Sequence, residues 1–173
     1  MQLLADYTSY AVWRLANMVG YQSAAYYDPC VEVADGVYIG SLATVQSTAL
    51  PDIGFIVNLS GQTYDSAIPV CTIMMGDAPI TLANVAAYVN AFNRAFIAIN
   101  NARKKGHRVL VHCMAGVNRS ATAIGYYLIM SGYTLDEMYA ALGASACKRG
   151  VRLLTNPTFR TFLETAYATR RVL

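Results

Sequence analysis

The sequence predicts an α/β domain with a mostly parallel central sheet flanked by helices. Three observations carry this. Short, near-continuous apolar runs at Phe55–Leu59, Cys71–Met75 and Arg108–His112 alternate with segments of helical periodicity. Runs without a polar alternation suit strands covered on both faces, as parallel strands are. The 173 residues, 55% hydrophobic and only 13% charged, fit one domain with a large core. A charged share about half the usual one excludes an intrinsically disordered chain. A membrane span is not expected: the densest apolar run, Ala123–Met130, falls far short of about 20 residues.

The elements follow in order. Leu4, Tyr7, Ala11, Leu15 and Met18 recur at helical spacing, which predicts an N-terminal helix within residues 1–22 that stops near Gly20. It is rich in apolar residues, and Trp13 lies off its main stripe. Two readings stand: packing on its own domain, or a two-fold interface that makes a homodimer. Val31–Val33 and Val37–Gly40 flank Ala34-Asp35-Gly36 and predict a hairpin. Strands are expected at Phe55–Leu59 and Cys71–Met75, then a long helix over Leu82–Arg103 with Lys104 and Lys105 at its C-terminal end. A buried strand at Arg108–His112 leads to helices at Arg119–Ser131, Leu135–Cys147 and Thr158–Thr169. Residues 28–170 thus form the main domain. In such folds the site lies at the carboxyl ends of the strands.

A net charge of +3 is too mild to announce a nucleic-acid partner, and suits an anionic substrate. The start, Met1 to Asp6, lacks the basic and apolar stretches of a signal peptide, so a cytoplasmic setting is expected. Cys30, Cys71, Cys113 and Cys147 form no Cys-x-x-Cys pair, and only two histidines are present, so neither a metal nor another cofactor is expected. Free thiols fit a reducing compartment.

The informative segment is Val111-His112-Cys113-Met114-Ala115-Gly116-Val117-Asn118-Arg119-Ser120, which leaves a strand, makes a short loop and enters a helix. Arginine stands six residues after Cys113 and after no other cysteine. A loop of this length can curl the amides of Met114 to Asn118 around one tetrahedral anion. Gly116 permits backbone conformations that a side chain would forbid. Arg119 can offer two parallel donors to two phosphoryl oxygens. The same amides and the helix dipole favour a thiolate at Cys113, so the loop binds an anion and activates a nucleophile together.

This segment resembles the signature loop of the cysteine-dependent protein phosphatases, and more closely that of their small, poxvirus-type dual-specificity subgroup. The resemblance runs from about Val31 to Phe162. It includes Asp35-Gly36-Val37-Tyr38-Ile39-Gly40, Ile56-Val57-Asn58-Leu59-Ser60, and Asn156-Pro157-Thr158-Phe159, where the family has Pro before Asn. That inversion is expected to affect local packing.

The resemblance implies a phosphatase that acts on phosphotyrosine and phosphoserine/threonine in proteins. Cys113 is then the nucleophile, and Arg119 with the backbone of Met114, Ala115, Gly116, Val117 and Asn118 holds the phosphoryl oxygens. Ser120 stabilises the departing thiolate. His112 either orients the loop or is a satisfied core histidine. The leaving group needs a proton, and only Asp65 and Asp77 lie between Ser60 and Cys113. Asp77, beyond the carboxyl end of a strand, is the expected general acid, against the plainer reading of a turn aspartate. Cys71 reads as a core thiol. Lys148, Arg149 and Arg152 read as solvated charges, one of which could meet a substrate phosphate. Competing functions are phosphatases of an RNA 5′-triphosphate or a phosphoinositide, or a non-catalytic phosphoprotein-binding module. The uncharged loop interior speaks against the inositide class.

Overall fold

The computed structural model describes residues 29–46 and 50–170. The helix expected within residues 1–22 lies outside them.

Five strands form one sheet: β1 (Val31–Ala34), β2 (Val37–Ser41), β3 (Phe55–Asn58), β4 (Val70–Thr72) and β5 (Val109–Cys113). Their order is β1-β2-β5-β3-β4, and only the β1–β2 pair is antiparallel. The expected mostly parallel α/β sheet is what forms. Among the described residues, five helices surround it: α1 (Leu42–Gln46), α2 (Val85–Lys104), α3 (Arg119–Met130), α4 (Leu135–Arg149) and α5 (Pro157–Thr169).

The hairpin turns where Asp35 and Gly36 both take positive φ, 41° and 72°, the geometry a two-residue turn between twisted strands requires. Strand β5 is buried along its whole length, with β2 on one side and β3 on the other. Successive side chains feed two cores: Val57 and Val111 join the large one, while Ile56 and Leu110 join Tyr38 and Ile53 on the opposite face. Helix α2 buries Tyr88, Ala91, Phe92, Ala95, Ile99 and Ala102, a stripe at 3.6-residue period. Phe92 and Phe159 meet edge to face at 6.1 Å, which locks α2 to α5. Helix α4 opens with a full capping box between Thr134 and Glu137 and ends at Gly150 with φ 65°.

Two boundaries and one added helix depart most from expectation. Strand β4 covers Val70–Thr72 rather than Cys71–Met75, because the chain leaves the ladder after the Ile73 amide donates to the Asn58 carbonyl. Helix α2 begins at Val85 rather than Leu82, since Asn84 folds back to accept from the Thr81 amide. Helix α1 was not anticipated: its five residues are too few to show a period.

Candidate active site

Strand β5 delivers Cys113 to the carboxyl edge of the sheet, at its centre, and the next five residues form the loop into α3. The loop's shape follows from where its carbonyls go. The Met114 carbonyl accepts from the Leu42 amide at 3.1 Å and the Val117 carbonyl from the Leu154 amide at 3.0 Å. The Gly116 carbonyl accepts from Arg149 Nη1 at 2.5 Å. Asn118 Oδ1 accepts from the Asn156 amide and the Thr155 hydroxyl, each at 3.1 Å. The carbonyls of Met114, Gly116 and Val117 are thus tied outward, while the amides of Met114 to Asn118 meet no acceptor among the described residues. Unpaired amides that precede a helix N-terminus make a cradle for an anion.

Gly116 sits at φ 66°, and a Cβ there would lie 2.6 Å from the Gly40 carbonyl oxygen. Both the conformation and the space demand glycine. Cys113 is buried, and its Sγ lies 3.4 Å from Ser120 Oγ, the only hydroxyl the structure places against it among the described residues.

Arg119 divides its guanidinium. Nη1 donates to the carbonyls of Leu59 at 2.9 Å and Met75 at 3.3 Å, which fixes the plane of the group. Nε is buried with no partner. A buried donor left unpaired is costly, so a site that holds one is built for an acceptor that arrives from outside.

His112 is fully buried behind the nucleophile. Its Nδ1 faces the Cys113 carbonyl at 3.3 Å, and its Nε2 meets the Tyr64 hydroxyl at 2.6 Å. Burial pushes the imidazole down to about 4 and the Tyr64 phenol up to about 12. The ring is therefore neutral and the phenol protonated. A carbonyl only accepts, so Nδ1 carries the proton and Nε2 accepts from Tyr64. His112 is both a satisfied core histidine and a brace on the nucleophile's backbone, so its two expected readings are one arrangement.

Asp77 lies exposed in the loop between β4 and α2. Three bonds anchor that loop: Tyr88 hydroxyl to the Ala78 carbonyl at 2.9 Å, the Ile80 amide to Thr158 Oγ1 at 2.8 Å, and Asn156 Nδ2 to the Asp77 carbonyl at 3.4 Å. Burial, and after it the Asp77 charge, push the Tyr88 hydroxyl above its ordinary value. The inverted Asn156-Pro157 pair does more than pack: Asn156 caps α5 through the Thr158 amide, Pro157 opens the helix, and the Asn156 and Thr158 side chains hold the Asp77 loop.

The family model described as the dual specificity phosphatase catalytic domain matches residues 37–166. The chain belongs to the dual specificity phosphatase family. Its apparatus is that of a cysteine-based protein phosphatase. The variola virus dual specificity protein phosphatase H1 is 26% identical over 135 residues, which cover 74% of this chain and 76% of that protein. Mouse dual specificity protein phosphatase 2 is 47% identical over 49 residues, 28% of this chain and 15% of that longer protein. The Orf virus tyrosine phosphatase OH1 shares the fold, with a TM-score of 0.64 at 20% identity over 93% of this chain and 98% of that one.

In this phosphatase the structure brings Cys113, Ser120, Arg119, His112 and the Met114–Asn118 loop together. Sequence reasoning missed two supports. Tyr64 reaches His112 from 48 residues away, and Arg149 reaches Gly116 from 33. Arg149 is neither a solvated charge nor placed to meet substrate: it is 4% exposed and holds the loop from behind.

Proposed function

We propose that this chain hydrolyses phosphotyrosine and phosphoserine/threonine in proteins through a phosphocysteine intermediate. The observation that carries the reading is the buried, partnerless Nε of Arg119 beside a ring of unpaired amides around Cys113. The Cys113 thiolate attacks phosphorus in line, the ester P–O bond breaks, and the leaving oxygen takes a proton from Asp77. Arg119 and the loop amides hold the equatorial oxygens throughout. Water then attacks the phosphocysteine, giving its proton to the Asp77 carboxylate. The S–P bond breaks, and the Ser120 hydroxyl donates to the returning thiolate.

The rim supports the broad choice of side chain. Met114 is 43% exposed and Met74 69%, so the cradle opens to solvent rather than lying at the foot of a deep slot. A shallow cleft admits short phosphoserine as well as long phosphotyrosine. The partners are then phosphorylated proteins. The cysteines of the described residues are thiols, with no disulfide among them, which supports a reducing, cytoplasmic setting.

Turnover of an aryl phosphate and of matched phosphotyrosine and phosphoserine peptides, in chelator, tests the reading. Cys113→Ser loses on the order of a thousandfold or more. Arg119→Lys loses about a hundredfold or more. Asp77→Asn loses most activity on the peptides, whose leaving groups need the proton more. Unchanged turnover in Cys113→Ser overturns the mechanism, and activity on only one peptide class overturns the dual specificity.

The homodimer through residues 1–22 is the second part of the proposal. Sedimentation of a chain lacking residues 1–20 gives the monomer mass where the full chain gives twice that. Equal association of the two refutes it.

A further inference from the structure

A cavity of about 490 Å³ opens at the far end of the sheet from Cys113. Phe55, the first residue of β3, lines it and pairs with Val109, four residues before Cys113. At about 3.3 Å per residue the two sites stand roughly 13 Å apart along the strand. Its walls are apolar: the Phe55 ring and Cys71 from the sheet, Ile97 and Ala98 from α2. Ile97 is 54% exposed, an uncovered aliphatic side chain on an otherwise polar helix face.

Its charged side chains are both cationic. Arg94 and Lys105 stand at the two ends of the α2 stretch that lines it, about 16 Å apart along the axis. His107 joins Lys105 at one end, and no Asp or Glu lines the cavity. Neither Arg94 nor Lys105 has an ion-pair partner among the described residues. Gly54 makes room for His107: a Cβ there would lie 2.6 Å from its Nδ1, although Gly54 has no positive φ to require glycine.

We propose that this cavity is a second binding site, for a small organic anion with an elongated apolar body, such as a medium-chain carboxylate. The volume falls in the range of about 300–1,000 Å³ usual for small-molecule sites, and an apolar trough with a few convergent polar groups at its ends is their usual make-up. The carboxylate takes the Lys105 and His107 end, and the chain lies along Phe55, Cys71 and Ile97 toward Arg94. An uncharged chain of equal length gains the trough and not the cation.

Cys71 provides the readout. The full chain is alkylated with a maleimide at increasing decanoate, and each cysteine is followed by mass spectrometry. Decanoate slows labelling of Cys71 and leaves exposed Cys147 unchanged. Decan-1-ol protects at least about fivefold more weakly, as does decanoate with the Arg94→Gln/Lys105→Gln double variant. That variant keeps wild-type aryl phosphatase activity, which reports its folding, because neither residue belongs to the Cys113 site. No protection at millimolar decanoate overturns the proposal. So does equal protection by the alcohol, or undiminished protection of the double variant.

Discussion

What Arg119 can give an anion is set by what it gives away elsewhere. Nη1 is held by the carbonyls beyond β3 and β4, so the guanidinium cannot swing, and its Nε and Nη2 edge is left for an anion, with Nε buried. His112 is fixed in the same manner. Its proton is committed to the Cys113 carbonyl, and its other nitrogen needs a donor in a place that water does not reach. Tyr64 is that donor. Tyr64→Phe keeps the ring and removes the hydroxyl, leaving a buried acceptor unpaired at a cost of about 1–3 kcal/mol. The urea midpoint falls accordingly, and a variant as stable as the parent refutes the bond. Local pattern could not point to Tyr64, since nothing around it marks a tyrosine whose partner lies 48 residues on. Cys113, Arg119 and Ser120 were legible because the chemistry that unites them acts within eight consecutive residues.

The strand–loop–helix unit works because the loop carbonyls of Met114, Gly116 and Val117 each have a fixed partner elsewhere in the fold. Gly116 is the tightest point, pressed on the backbone at the end of β2. Gly116→Ala must push the loop off Gly40 and strain a positive φ at once. A displacement approaching 1 Å in a positioned site costs on the order of a hundredfold. We expect kcat/KM on an aryl phosphate to fall by that factor while the circular dichroism spectrum stays that of the parent. Activity within a few-fold of wild type refutes the requirement. The β1–β2 hairpin, β5 and helices α3 to α5 were readable as elements, because turn residues, apolar runs and caps all act locally. The end of β4 was not readable: Met74 and Met75 look like strand residues, yet the Met75 carbonyl leaves the ladder and bonds Arg119. Arg149 misled for the opposite reason, as a charge near a helix end reads as solvated until its neighbours are known.

At the scale of the molecule, the sheet order puts β5 in the middle, so the nucleophile's strand is the most deeply covered segment and carries a buried histidine with it. This couples stability to pH. In the unfolded chain an imidazole titrates near 6.5, while burial holds His112 down to about 4 in the native state. Between those values the unfolded chain binds a proton that the native one refuses, so stability falls as pH is lowered through the window and is fully present above 6.5. The span of the two values corresponds to about 3 kcal/mol. Urea unfolding at steps from pH 7.5 to pH 4.5 reads it directly. Wild type loses stability across the window by an amount of this order. His112→Gln, with no group to titrate there, loses less over the same range, and the difference between the two slopes is the histidine's share. Equal slopes would mean that His112 is already protonated in the native state, and the neutral brace behind Cys113 would have to be abandoned.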